Sequence, residues 1–500
     1  MQRFQKLIFC FSFGLILFAS NASAASPPER SSQFACGGEL EANIWRRWDT
    51  DGKRLLESLV VDRLLKQGDT YALYDFEIYF HNLLSMAQRC NRVDRHAEFA
   101  AWISKTYAQL SVAQGKKYSL EWVCRGGTIC NEKNRLVNKE VMLTSVQFLA
   151  LATSVANGLS RDGSVADNKA FAAETARIAF LHLQRWDNPS ARRSLQMRIV
   201  AKASDVKDGS SALFFSDKDV WQIVMYAELA GVLTRYPDLQ KELLPKEAAA
   251  ALGDHLQLLL ELFKARTSLR RSKESGGREI QVADLDRGFS RLYADNRYAG
   301  YTDKNPPVRC VTKPAESSEK KIQILVEAQS LKPADTLGWD ISHARRLVHL
   351  FDAIERNRGA MQSFYKIRQE ILPDEAIMTA FARQFRASVW NQDKKYPLFA
   401  NYYGGANGWY RVAYDNGANS CTEGIPPFGL SSAFPTGGYA TWSRWDETLG
   451  ELGRQFFFLT FSSNETDIRF VQTAYPAFSN RASNDVRTRS ELAFWPTLIK

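Results

Sequence analysis

Apolar residues recur at intervals of three and four through one segment after another of this chain, and that repetition restricts the fold more than any single motif does. The pattern runs through ANIWRRWDTDGKRLLESLVVDRLL, TYALYDFEIYFHNLLSMAQRC and RHAEFAAWISKTYAQLSVA, then through EVMLTSVQFLALATSVANGL, DVWQIVMYAELAGVLTRY and ALGDHLQLLLELFKA. It returns in GWDISHARRLVHLFDAIERN, DEAIMTAFARQFRASVWN and YATWSRWDETLGELGRQFFFLTF. Breaks fall at Gly, Pro or Asn, and roughly 12 to 14 helices are expected, with sustained strand alternation nearly absent.

Helices of this kind must bury their apolar stripes against one another. No 34-residue repeat is visible, which disfavours a tetratricopeptide-like stack. Unequal helices and long, unequal loops favour an all-α, irregular ring of helix hairpins, an (α/α) toroid, with an open α-solenoid as the alternative. Two segments poor in apolar residues interrupt the pattern, Arg270–Ile280 and Thr302–Lys321. Each reads as a linker or a surface excursion, and a soft boundary is placed near residue 315, dividing a helical-hairpin region (25–315) from a second helical region (316–500) of the same toroid.

The first residues carry Arg3 and Lys6, an apolar core from Leu7 to Phe18 and the small-residue end Asn21-Ala22-Ser23-Ala24. This is the anatomy of a secretory signal over residues 1–24, and its apolar run falls short of the ~20 residues that span a bilayer. A periplasmic or secreted protein is therefore expected, with no integral membrane segment after cleavage. Loss of Arg3 and Lys6 takes the formal net charge from +10 to +8, a field that suits an acidic partner or is merely a solvated surface. Nucleic acid is disfavoured, since no dense basic stripe or recognised binding signature occurs.

Six cysteines remain after the signal: Cys36, Cys90, Cys124, Cys130, Cys310 and Cys421. In an exported chain an even number implies disulfides. Cys124 and Cys130 enclose the flexible Arg-Gly-Gly-Thr-Ile loop and should close locally, leaving Cys36–Cys90 and Cys310–Cys421 as the economical pairing. No metal-ligand spacing is present, Trp48–Gly52 lacks the distal glutamate of a calcium loop, and nucleotide and serine-hydrolase motifs are missing. No metal or other cofactor is expected.

Two segments in the last third concentrate polar and aromatic residues. In the first, GWDISHARR, Asp340 is placed to cap a helix, with His343 one turn inside on the same face and Arg345 and Arg346 just beyond. Cations in a first helical turn oppose the helix dipole and so call for an acidic partner or ligand. The second, GGANGWYRVAYDNGANSCTEGIPPFG, supplies Asn407, Trp409, Tyr410, Arg411, Tyr414, Asp415 and Glu423 among glycines that let a backbone come close to something else. Further on, Trp442 opens a helical segment.

A cleft of Trp, Tyr, Asn, Asp and Arg suits a sugar chain, whose C–H faces stack on rings and whose hydroxyls take hydrogen bonds. Trp339, Trp409 and Trp442 are the candidate platforms, set against their ordinary use as core fillers. Arg345, Asn407, Arg411 and Asp415 are the candidate polar contacts. Two chemistries fit the inventory. Hydrolysis would use a carboxyl pair, Asp340 and Glu423. β-Elimination from a uronate would use His343, Tyr410 or Tyr414 as base, with Arg345, Arg411 or Asn407 neutralising the neighbouring carboxylate.

With these segments and this helical plan, the chain resembles carbohydrate-active enzymes of the (α/α)-toroid class, polysaccharide lyases and glycoside hydrolases. The resemblance lies in architecture together with GWDISHARR and NGWYRVAYDN, and it implies a polysaccharide or oligosaccharide substrate handled at one mouth of the ring. The expected function is a polysaccharide lyase acting on an acidic polysaccharide. A glycoside hydrolase is the first alternative, and a non-catalytic glycan-binding or polysaccharide-export protein of the envelope is the second.

Overall fold

A computed structural model describes residues 33–112, 120–161, 165–202, 215–243, 246–274, 277–285, 301–315, 318–327, 337–414 and 421–500. The expected signal segment and Asp415 lie outside these residues. The described chain is mostly helical, as the periodicity implies.

The helices, in order, are α1 (residues 39–66), α2 (Tyr71–Arg89), α3 (Val93–Tyr107), α4 (Met142–Leu159), α5 (Ala166–Trp186), α6 (Pro189–Val200), α7 (Asp217–Arg235), α8 (Pro237–Leu243) and α9 (Lys246–Arg266). They continue with α10 (Arg346–Tyr365), α11 (Glu375–Gln384), α12 (Glu447–Thr460), α13 (Glu465–Ala474) and α14 (Asn484–Phe494). Helix α1 passes through Trp48–Gly52 without a break, as a π-type turn. Its Asp49 and Asp51 are engaged by Lys53, Arg95 and Arg47, so the segment is an ion-paired helix face.

Local chemistry sets the ends of the central helices. A capping box of Ser216 and Asp219 starts α7. Asp340 caps the short turn Ile341–Ala344 that leads into α10, and Lys366 in a left-handed conformation ends it. Helix α4 is apolar and long enough to cross a membrane by length and composition, yet 89% of that stretch is buried within the protein, the position of a central core helix.

Helix α2 packs on α4, α4 on α7 and α7 on α10, while α14 lies against α2. Side-chain partners give the directions. Tyr74 of α2, Asp217 of α7 and Gln147 of α4 all meet Arg346 at the start of α10. Further along, Asn157 of α4 and Glu228 of α7 meet Asn357 of α10. The four helices therefore run parallel, with their N-termini at one end.

Among the described residues three antiparallel hairpins decorate the helices: β1 (Leu110–Val112) with β2 (Leu120–Trp122), β3 (Thr267–Lys273) with β4 (Glu279–Leu285), and β5 (Val308–Ala315) with β6 (Ser318–Glu327). The last two occupy the segments expected as linkers or excursions, and residue 315 falls at the end of a paired strand. In β4, Ile280 and Val282 are buried while Glu279 and Gln281 face out. That is a two-residue period too short to stand out beside its charged partner β3, which lies mostly exposed.

Cys36–Cys90, Cys124–Cys130 and Cys310–Cys421 are all paired, at Cα separations of 5.4, 5.7 and 5.9 Å. The pairing is the one expected from the sequence, and it fits an oxidising, exported compartment. Cys310–Cys421 ties β5 to the Gly-rich loop.

Candidate functional site

The site is built where the Gly-rich loop meets the entry to α10. Asp340 has extended backbone and forms an isolated bridge with Tyr402. The amide of Ile341 donates to the Asn401 carbonyl at 3.0 Å and that of Tyr403 to the Trp339 carbonyl at 2.7 Å. Asn401 holds the far side of the loop, its Nδ2 donating to the carbonyls of Gly408 and Pro426 at 2.9 and 2.8 Å. Tyr410 and Ile425 exchange two backbone hydrogen bonds, which fixes the Tyr410 side chain over the helix entry.

One Asp340 oxygen, Oδ1, accepts from the amides of Ser342 and His343, both at 3.1 Å, and from the Ser342 hydroxyl. The other, Oδ2, lies 2.7 Å from Nδ1 of His343. The Tyr410 hydroxyl is 3.3 Å from the same nitrogen and accepts from Nε of Arg411 at 3.0 Å. The Arg411 guanidinium also lies 5.3 Å from the Tyr410 ring and 5.0 Å from that of Tyr414. Thus Asp340, His343, Tyr410, Arg411 and Tyr414 converge.

Electrostatics divides their roles. Burial works against the charge of Asp340, but His343, the Ser342 hydroxyl and Arg411 outweigh it and hold the carboxyl well below its usual range. Burial lowers the pKa of His343, with Asp340 opposing and Arg346 and Arg411 reinforcing. The imidazole is neutral, and a charged Asp340 at 2.7 Å assigns its proton to Nδ1. Burial, then Asp340, pushes the Tyr410 hydroxyl well above an ordinary phenol, against Arg411. Tyr410 is a protonated donor whose hydrogen is not spent on His343.

Backbone strain marks the same place. Arg411 and Ala413 are non-glycine residues with φ of 54° and 58°. Such left-handed residues cost on the order of 1–3 kcal/mol and persist where the surroundings enforce them, often at functional sites.

Other candidates are placed differently. Glu423 is engaged by the fold, its Oε1 accepting from the Cys310 amide at 3.0 Å. Asn407 spends its side-chain oxygen on the amides of Phe428 and Asn401. Arg345 is buried and ion-paired to Glu77 at 2.8 Å, so it is not available to a substrate. Trp339 and Trp442 are 0% exposed and Trp409 5%, the last packed on Val308 and Val412 with its Nε1 donating to the Asp303 carbonyl. None of the three offers a face for a sugar; their apolar area is worth more in the core.

Residues with no distinctive sequence signal complete the cluster. Tyr74 accepts from Arg346 at 3.2 Å, and Asp217 lies 3.6 Å from the same guanidinium. Their signal was hidden in amphipathic patterns, where Tyr74 and Asp217 read as ordinary helix residues. Glu77 was more legible, because it falls among Leu73, Phe76 and Phe80 on the apolar face of α2.

Glu77, His81 and His349 are close enough together to suggest a metal site. Nδ1 of His81 lies 3.0 Å and Nε2 of His349 3.8 Å from Glu77 Oε1. However, both carboxylate oxygens already accept from Arg345, and the imidazoles stack in parallel at 3.6 Å, which does not aim two nitrogens at one point. Despite burial, Arg345 and then His81 hold Glu77 well below its usual range. The trio acts as a charge-balanced polar core beneath the mouth.

Comparison with protein-family models, curated proteins and solved structures finds no match to this chain.

Proposed function

We propose that this protein is an exported polysaccharide lyase that cleaves an acidic polysaccharide by β-elimination at the mouth formed by His343, Tyr410 and Arg411, within an (α/α) toroid. The observation that carries the reading is the pairing of a neutral imidazole, held by an ionised carboxylate, with a protonated tyrosine 3.3 Å away beside a guanidinium.

In this reading Asp340 fixes the imidazole with its proton on Nδ1, leaving Nε2 as the base. Nε2 takes the proton from C5 of a uronate, the electron pair forms the C4–C5 double bond, and the C4–O bond breaks. Tyr410 donates its proton to the departing oxygen, while Arg411 neutralises the carboxylate and favours the enolate-like transition state, and the buried Arg346 adds positive potential from beneath. The parallel N-termini of α2, α7 and α10 add partial positive charge at the same mouth. The closed ring is supported by the succession α2, α4, α7 and α10 and by the contact of α14 with α2.

Hydrolysis is less well supported, since Asp340 is ionised and committed to a helix cap and Glu423 to a backbone amide. Incubation with a panel of acidic and neutral glycans tests the proposal. Ultraviolet absorbance from an unsaturated uronate is expected, and it should fall by about 10²–10⁴-fold in His343→Ala and Tyr410→Phe. New reducing ends without absorbance would establish hydrolysis instead. Binding without turnover would leave a glycan-binding protein of the envelope.

A further inference from the structure

Between the second half of α2 and the first turns of α10 lies a cavity of about 330 Å³, lined among others by Ser85 and Arg89 of α2, His349 and Asp352 of α10, Ser443, Arg444 and Lys500. His343, Tyr410 and Arg411 do not line this space, which borders the polar core of Glu77, His81 and His349 through His349.

Its charges are unevenly matched. Arg444 pairs with Glu355 and Asp352 at 2.6 and 3.3 Å, and Lys500 with Glu447 at 3.0 Å. Asp352 is also taken by Arg356. Among the described residues no carboxylate lies within ion-pair distance of Arg89, and its only hydrogen bond is from Nη2 to the Pro496 carbonyl at 2.7 Å. The Arg89 side chain is exposed, and Asp352, Arg444 and Arg356 are the charged groups that act on it. His349, buried and with no hydrogen bond at Nε2, lines the same cavity.

A cation at the last residue of a helix is favoured by the dipole, and this accounts for a basic residue at position 89. It does not account for a guanidinium with a single hydrogen bond facing a cavity lined by two serines and by two further cations that are each already ion-paired. Arginine's fork matches the two oxygens of a carboxylate or phosphate, and the volume is at the small end of ligand pockets.

We propose that this cavity binds a small, hydroxyl-bearing oxyanion of about monosaccharide size, a sugar acid or a sugar phosphate, with the anionic group on Arg89 and the hydroxyls on Ser85 and Ser443. The proposal is independent of the chemistry assigned to His343.

Calorimetric titration of the mature protein with D-glucuronate, glucose 6-phosphate and, as neutral control, glucose tests it. At least one anion should bind, with glucose at least tenfold weaker, and the tighter of the two identifies the anionic group. Arg89→Gln should weaken binding by roughly tenfold, as loss of a charge-assisted pair does, while Arg271→Gln, at an exposed residue of β3, leaves it unchanged. Arg444→Gln, at a partly exposed side chain, should also weaken it and serves if Arg89→Gln does not fold. Absence of binding at millimolar anion, equal binding of glucose, or loss of binding only in Arg271→Gln would overturn the proposal.

Discussion

His343 and Asp340 sit 2.7 Å apart and are both buried, yet their ionisation is opposite. Their surroundings explain this. His343, the Ser342 hydroxyl and Arg411 favour the charged carboxylate, whereas the loss of water, with Arg346 and Arg411, disfavours a charged imidazole. A base with a lowered pKa stays unprotonated to lower pH, so the acid limb of kcat/KM should lie below the ordinary histidine value of 6.5. Because burial raises Tyr410, the alkaline limb should lie above that of an ordinary phenol at 10.0. A pH–rate profile that falls off already at pH 7 would remove His343 as the base. Asp340→Ala should cost stability as well as turnover, about 0.5–2 kcal/mol for the cap, measurable by denaturant titration. Both effects were legible in outline, since Asp-x-x-His ahead of an apolar run announces a cap and a one-face pair. That Tyr410 joins them was not legible, because it lies 67 residues away across an irregular loop.

Between elements, close packing replaces sequence pattern as the guide. Helices α3 and α4 meet at Gly158, where an added Cβ would lie 2.7 Å from the His96 ring. That ring is buried by its own helix and has little room to give, so Gly158→Ala should destabilise by about 1–3 kcal/mol, read as a lowered Tm. Cys310–Cys421 acts at the same scale. It closes 111 residues and anchors the Gly-rich loop to β5, and its removal as Cys310→Ser with Cys421→Ser should cost about 2–5 kcal/mol. The larger loss should appear in turnover, since Arg411 and Ala413 hold strained conformations only while the loop is tied at both ends. A double mutant as active as the parent would show that the strain is enforced elsewhere. The helices themselves could be read from their three- and four-residue spacing, but hairpins β3–β4 and β5–β6 could not, because their charged sequences resemble linkers.

For the molecule as a whole, burial of neutral histidines makes stability depend on acid. His96 and His182 have pKa values lowered to about 4, burial being the main cause in each. An unfolded histidine takes up a proton near 6.5, so between 6.5 and 4 the unfolded state binds more protons and stability falls as pH drops. The loss is on the order of 3 kcal/mol for each residue, and denaturant midpoints measured across this window should decline steadily; a flat profile would contradict neutral burial. The mostly helical class and the three disulfide pairs, which fit an oxidising, exported compartment, were legible in the sequence alone, because apolar periodicity and cysteine economy are local or nearly local properties. The candidate mouth was only half determined in this way. GWDISHARR and the Gly-rich loop were recognisable as polar, aromatic and strained, but composition could not separate Tyr410 and Arg411, which face His343, from Trp339, Trp409, Trp442 and Glu423, which serve the fold. Only tertiary packing makes that division, since burial and the partner of each polar atom depend on chain segments hundreds of residues apart.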